Sequence, residues 1–144
     1  MAPVNQNNTQ VGPLPIIGTA SLVGKENLLV KMTNASGTLN CVVPADIDDR
    51  VFGVVDDGKG AGEASSIVPL EPGRNLRVKL KGTCNPGDAL VLADPSTPAD
   101  AGKLRTVPAA ADTYYILAFA EEVGVDGQKV KVRPAPREAV VVTA

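Results

Sequence analysis

The side chains that could do chemistry in this sequence are serines, a glycine-rich loop and carboxylates in turns. Histidine, the commonest general base and transition-metal ligand, is absent from the 144 residues. Ser65 and Ser66 lack a Gly-x-Ser-x-Gly setting and have no histidine partner, so a serine hydrolase is disfavoured. Residues 58–62 (GKGAG) do not have the order of a phosphate-binding loop, and no helix pattern follows them.

Carboxylates cluster in two acidic turns and at the end of one apolar run. The aspartates of the turns are Asp46, Asp48, Asp49, Asp56 and Asp57. They could offer Ca²⁺ its oxygen ligands, but their spacing matches no EF-hand, and solvated turn carboxylates are the alternative. Glu121 and Glu122 are adjacent, so on a strand they point to opposite faces and form no catalytic pair. We therefore predict a protein that is not an enzyme, with no catalytic residue, metal site or cofactor.

Composition and charge narrow the class of protein further. The net charge is −2 with both signs spread along the chain, and four aromatic residues show no alternation with basic ones. Nucleic-acid binding is therefore disfavoured. No apolar run approaches the roughly 20 residues of a membrane-spanning helix, and the first ten residues do not resemble a secretory signal. Cys41 and Cys84 are predicted to be reduced, buried thiols, although a single bridge between them remains the alternative.

The elements that must position these side chains are short strands separated by turns. Runs of Val, Leu, Ile and Thr are bounded by Gly, Pro, Asn and Asp at spacings of about 8–12 residues, which predicts a sandwich or small barrel. Residues 75–81 (NLRVKLK) alternate most clearly, with Leu76, Val78 and Leu80 on one face. Residues 114–122 (YYILAFAEE) would also suit two helical turns, but we interpret them as a buried strand.

Part of the sequence occurs twice. Residues 51–69 fall without a gap on residues 116–134 when they are moved by 65 positions, and glycine, proline and the acidic pair stay in register. Chance similarity between two β-hairpins is the alternative. Each half would expose sheet edges and one apolar face, so it could not bury a core alone. We predict one β-domain over residues 18–144, with pseudo-repeats at about 27–72 and 88–136.

Residues 1–17 are predicted to form an extended N-terminal arm. The segment is rich in Asn and Gln, carries no charged side chain and has three prolines. It is either a frayed terminus or an arm that becomes ordered on a neighbouring subunit. The residues predicted to contact the partner are Asn5, Gln6, Asn7, Asn8, Thr9, Gln10, Leu14, Ile16 and Ile17.

The order of these strands and turns resembles the small capsid decoration (cement) proteins of tailed bacteriophages, including the DUF2190-like family. The resemblance covers roughly residues 27–136. It lies in residues 87–91 (GDALV), 102–104 (GKL), 116–122 (ILAFAEE) and 127–132 (GQKVKV), with 50–57 (RVFGVVDD) as the other copy. The duplicated arrangement and the N-terminal arm depart from the family pattern.

The resemblance implies an all-β protein, a small β-barrel, β-tulip or sandwich, on the outer surface of a phage capsid. It would be made in the host cytoplasm, form a homotrimer and clamp neighbouring subunits of the major capsid protein, with no nucleic-acid or membrane partner. Many weak contacts would then add up through multivalency. A head-fibre, tail or adhesin module that binds a cell-surface glycan is the alternative function, with Tyr114 and Tyr115 as its candidate aromatic residues.

Overall fold

Short apolar runs bounded by turn residues form ten β-strands in the computed structural model, which describes residues 13–144. The first five are β1 (Leu14–Gly18), β2 (Leu29–Ala35), β3 (Thr38–Val42), β4 (Val51–Asp57) and β5 (Ala64–Pro69). The second five are β6 (Leu76–Lys79), β7 (Ala89–Leu92), β8 (Leu104–Thr106), β9 (Asp112–Ala120) and β10 (Lys129–Val142). A 3₁₀ turn at Pro98–Asp100 is the one helical element within residues 13–144. No helix in that range is long and apolar enough to cross a membrane.

Strands β1–β5, which we call the first unit, close into a five-stranded barrel in the order β1-β3-β2-β4-β5. Strand β1 closes it by pairing antiparallel to β5 and parallel to β3. Strands β6–β10, the second unit, form a sheet in the order β6-β10-β9-β7-β8. Its outer strands meet through one parallel pair, Leu80–Leu104, and the Lys81 N–H donates to the Leu104 carbonyl at 2.7 Å.

The two units share one topology, so the predicted internal pseudo-symmetry is confirmed. Each strand pairing of the first unit recurs five places later in the second unit, except that the β1–β3 ladder is reduced there to the single pair Leu80–Leu104. The register also agrees, because pairs between β4 and β5 fall on pairs between β9 and β10 when 65 is added to each number. The matched pairs are Gly53–Pro69 with Ala118–Pro134, Val54–Val68 with Phe119–Arg133, and Val55–Ile67 with Ala120–Val132.

Each unit has its own apolar core, built at matching positions. The core of the first unit contains Ile16, Leu22, Val30, Cys41, Val55 and Ile67. The corresponding residues of the second unit are Val78, Cys84, Leu90, Leu104, Ala120 and Val132. The scarcity of aromatic residues therefore has a structural counterpart, since these matched core positions hold aliphatic side chains and two cysteines and no aromatic ring.

The two units are joined by an insertion of the first unit into the second sheet. The segment from Asn27 to Leu29 lies between β6 and β8, where the Lys79 N–H donates to the Asn27 carbonyl and the Leu29 N–H donates to the Gly102 carbonyl, each at 2.9 Å. The side chains of Leu29 and Val54 belong to the same buried cluster as the core of the second unit. The units thus pack through buried apolar side chains and backbone hydrogen bonds.

Three segments predicted from the sequence can be compared directly with the observed strands. The ambiguous run at residues 114–122 is strand as far as Ala120, within β9, and the two predicted strands at residues 128–133 and 138–143 form parts of the single long strand β10. Leu14, Ile16 and Ile17, which the sequence analysis includes in the arm, form β1 of the barrel. Pro13 and Pro15 masked the strand pattern there, because proline removes a donor and is rare inside sheets.

Candidate interaction surface

The acidic loop at residues 45–49 is organised by the carboxylate of Asp49. It accepts the backbone N–H groups of Ala45 at 2.7 Å and Asp46 at 3.0 Å, and it pairs with Lys31 Nζ at 2.8 Å. Partial burial alone would raise the pKa of Asp49, but these hydrogen bonds and the Lys31 charge hold it below its ordinary value. Asp46 in turn accepts the N–H of Asp48. Asp49 therefore acts as an internal clamp of the loop.

Asp49→Asn is expected to reduce the acid sensitivity of the fold. A carboxyl whose pKa is lowered by folding contributes stability that is present above its unfolded pKa and is lost as pH falls through the folded value. The variant should lose stability at pH 7, on the order of 1 kcal/mol, and less than that at pH 3. Urea unfolding midpoints at the two pH values measure this. Asp48→Asn, an exposed neighbour, is the control, and equal losses at both pH values for Asp49→Asn would contradict the clamp role.

The glycine-rich turn at residues 58–62 and the two serines are bound to neighbouring groups of the barrel. The Gly58 N–H donates to the Glu26 carboxylate at 3.3 Å, and the Lys59 N–H donates to Ser65 Oγ at 2.9 Å. Ser66 Oγ donates to the Asp56 carboxylate at 3.2 Å. These contacts hold the turn against β5, and they give both serines a structural role.

Glu121 and Glu122 each pair with an arginine on the outside of the second unit. Glu122 accepts Arg77 Nη1 at 2.6 Å and the Lys131 N–H at 2.9 Å, and Glu121 accepts Arg133 Nε at 3.1 Å. Backbone hydrogen bonding from Lys131, together with Arg77, lowers the pKa of Glu122. The two carboxylates thus belong to separate ion pairs.

The cysteines lie in different cores and are free thiols. Cys41 is buried in the first unit and Cys84 in the second, and burial raises the pKa of both thiols. A raised pKa favours the neutral thiol, which is the less reactive form. The interpretation as two reduced, buried thiols agrees with this placement.

An open groove of about 450 Å³ runs between the loop at residues 45–47 and loops of the second unit. Its walls carry the side chains of Asp94, Arg105 and Tyr114. The pKa of Asp94 lies below its ordinary value because Ser96 donates to it and Arg105 is near. Within residues 13–144, no three His, Cys, Asp or Glu side chains come together as a metal-binding group.

The two tyrosines offer little ring surface to a ligand. Tyr114 is only 4% exposed, and its hydroxyl donates to the Ala110 carbonyl at 3.0 Å. The guanidinium of Arg137 lies 3.5 Å from the ring centroid of Tyr115 and also donates to the Asp48 carbonyl at 2.7 Å. Arg137 therefore covers the Tyr115 ring and at the same time bonds the second unit to the first.

Exposed apolar side chains are the most distinctive surface feature of the described residues. Met32 and Leu39 stand on the hairpin of β2 and β3, which continues beyond the barrel, and we call them the hairpin patch; they are 55% and 48% exposed. Phe119 is 40% exposed and lies opposite Ala89 on the outer face of the second sheet, and we call this pair the outer patch. Sequence reasoning missed both patches; the one signal that could have pointed to Phe119 is the repeat, which aligns it with the smaller Val54.

The predicted partner-contact residues divide into two groups. Asn5, Gln6, Asn7, Asn8, Thr9 and Gln10 lie outside the described residues. Ile16 is 5% exposed and packs in the core of the first unit, whereas Leu14 and Ile17 are half-buried beside it. Of the predicted contacts within β1, Leu14 and Ile17 keep side-chain surface that a partner could reach.

The fold and surface define an all-β protein of two like units whose prominent features are apolar patches and ion-paired loops. A crystal structure of the head fiber gp8.5 N base in bacteriophage phi29 has a similar fold, with a TM-score of 0.59. The sequence identity is 13%, and the match covers 85% of this chain and 92% of that one. Identity this low shows a shared fold alone. No protein-family model matches the chain, and no curated protein matches it.

Proposed function

We propose that this chain is a structural protein of a phage particle that sits on the outer surface of the capsid and holds neighbouring major capsid subunits together. The observation that carries the proposal is the fold, which is shared over most of both chains with the base of a phage head fiber. The sequence resemblance to capsid decoration proteins rests on other grounds, namely the order of strands and turns, and leads to the same class of particle.

The chemistry of the described surface supports a holding role. Its candidate catalytic side chains are engaged in loop hydrogen bonds and ion pairs, as with Asp49, Ser65 and Glu122. Exposed apolar side chains, by contrast, mark surfaces that bind other proteins. Many copies with modest individual affinity would reinforce a shell because a lattice presents many sites at once.

The proposal is tested on capsids of the phage that carries the gene, prepared without this protein. Purified protein should co-sediment with these capsids at a fixed ratio to the major capsid protein. Bound copies should also raise the temperature at which the particles release DNA, measured with a fluorescent dye. Absence of co-sedimentation would contradict the proposal, and so would binding that leaves the release temperature unchanged.

The N-terminal residues are proposed to make the capsid contact. Deletion of residues 2–12 stops short of β1, so the melting temperature should stay within a few degrees of the full chain while the amount bound to capsids falls at least tenfold. Deletion of residues 143–144, which follow β10, is the control and should leave binding intact. Normal occupancy by the chain lacking residues 2–12 would contradict this role of the arm. A deletion through residue 17 would instead damage the barrel, because it removes most of β1 (Leu14–Gly18).

A second candidate function is the base of a head fibre, favoured by the fold that this chain shares with the head fiber base of bacteriophage phi29. Loss of a fibre base should remove projecting fibres from electron micrographs and leave the heat stability of the capsid unchanged. Loss of a decoration protein should do the reverse.

The glycan-binding alternative is weakened by the burial of Tyr114 and by the guanidinium of Arg137, which covers the Tyr115 ring. A glycan array without signal above background would contradict it.

A further inference from the structure

The contact between the two units has two different sides. On one side is the outer face of the first unit, where Leu29 lies opposite Val54. On the other side is the end of the second sheet, where Leu92 is 2% exposed and belongs to the same cluster as Leu29 and Val54. A contact between unlike surfaces is heterologous, and such contacts can be repeated from copy to copy.

Each side of this contact has a counterpart elsewhere in the same chain. The shared topology places the pair Ala89–Phe119 of the second unit where the first unit has Leu29–Val54. It likewise places Met32, opposite Cys41, where the second unit has Leu92 opposite Leu104. The same alignment puts Leu39 at the position of Gly102.

Both counterparts are exposed, whereas the sides that meet inside the chain are buried. Phe119 is 40% exposed against 4% for Val54, and Met32 is 55% exposed against 2% for Leu92. The second unit therefore presents the outer patch, which corresponds to the face of Leu29 and Val54. The first unit presents the hairpin patch, which corresponds to the position of Leu92. These two patches supply three of the seven large apolar side chains that are exposed within residues 13–144.

We propose that copies of this chain associate head to tail, with the outer patch of one copy (Ala89 and Phe119) on the hairpin patch of the next (Met32 and Leu39). The occupant of each patch is a second copy of the chain, because the contact repeats in outline the packing of the first unit on the second. Copies joined this way form a closed ring if the rotation between them closes, and an open chain otherwise.

The contact between copies uses side chains and lacks the backbone bonds of the internal contact. In the second unit, the segment from Asn27 to Leu29 bonds to Lys79 of β6 and to Gly102 ahead of β8, so the two outer strands meet only next to the pair Leu80–Leu104. In the first unit, β1 and β3 pair directly, and the Thr19 N–H donates to the Cys41 carbonyl at 3.0 Å. No strand segment can enter there, so the association is weaker than the internal contact and depends on protein concentration.

The heterologous arrangement makes a mixing experiment decisive. A donor-defective variant, Phe119→Ser, and an acceptor-defective variant, Met32→Ser with Leu39→Ser, are each expected to be monomeric in sedimentation velocity at concentrations where the unmodified chain is oligomeric. Mixed in equal amounts, they should form a one-to-one dimer, because each retains one intact patch. The two variants should associate with each other at least tenfold more tightly than either variant associates with itself.

Several results would overturn the inference. These are a monomeric unmodified chain at high concentration, oligomers that survive either set of substitutions, and a mixture that remains monomeric. Val141→Ser removes another exposed valine and should leave the oligomer unchanged; dissociation by this control would place the contact elsewhere. Circular dichroism melting checks that each variant folds, and Phe119→Gln replaces Phe119→Ser if the latter does not. All measurements are made in solution, so they hold or fail independently of capsid binding.

Discussion

Leu29→Ala is expected to lower the free energy of unfolding by about 3 kcal/mol, the middle of the range for large-to-small changes in a core. Leu29 is 1% exposed, and its side chain joins the cluster that contains the core of the second unit. Truncation leaves a cavity at this junction, because the Leu29 N–H remains bonded to the Gly102 carbonyl and holds the backbone in place.

The loss should also change the shape of the unfolding transition. The two units have separate cores, so they unfold together only as far as contacts such as Leu29 couple them. We expect a melting midpoint lower by roughly 10 °C and a transition that separates into two in calorimetry. Val23→Ala, at a side chain 64% exposed, is the control and should change stability by less than about 0.5 kcal/mol. A single sharp transition with a loss no larger than that of the control would show that Leu29 does not couple the units.

The sequence was sufficient to predict strands with a clear alternating pattern and their repetition. Val78 and Leu80 are each 1% exposed, as the alternation in residues 75–81 predicts. The alignment by 65 positions recurs in the structure as equal registers of β4–β5 and β9–β10, since a hairpin register follows from the apolar pattern and the turn. These features are local, so single-sequence reasoning can reach them.

Features that depend on contacts between distant segments could not be predicted. Periodicity places Met32 on the same face as the buried Val30, yet Met32 is 55% exposed because the hairpin continues beyond the barrel. Leu29 lies on the opposite face, which periodicity would assign to solvent, and is buried by the second unit. Whether a strand outruns its sheet depends on the length of its neighbours, and the sequence of that strand does not contain this information.

The candidate interaction surface could likewise be predicted from the sequence only in part. Carboxylates in turns were recognised from composition, but which neighbour each one binds required coordinates, as for Asp49 with Lys31 and Glu122 with Arg77. Phe119 was visible in the repeat alignment as the partner of Val54. Only the structure, however, shows that Phe119 is exposed. The second unit therefore has a counterpart of the face that contains Val54 in the first unit, and that counterpart is not covered.

Gly58→Ala is expected to destabilise the first unit by about 3 kcal/mol or more, at the upper end of the range for added atoms in packed sites. A Cβ built at Gly58 would lie 1.8 Å from the carbonyl oxygen of Leu22 and 2.6 Å from its carbonyl carbon. These are backbone atoms, so no side-chain rotation relieves the overlap. The Leu22 N–H donates to the Lys59 carbonyl at 2.8 Å, which ties the two segments together at this point.

The corresponding position of the second unit explains why this requirement is hidden in the sequence. There the repeat has Val123, which is 61% exposed, so the same place in the turn accepts a large side chain that points to solvent, although the Cys84 N–H donates to the adjacent Gly124 carbonyl at 3.1 Å. Gly73→Ala is the matched control, because a Cβ there meets no atom within 4 Å, and it should be neutral or slightly stabilising. Chemical denaturation of both variants measures the difference. Equal stability of Gly58→Ala and Gly73→Ala would mean that the loop containing Leu22 can move away without cost, and that the close approach of these two segments does not hold the first barrel together.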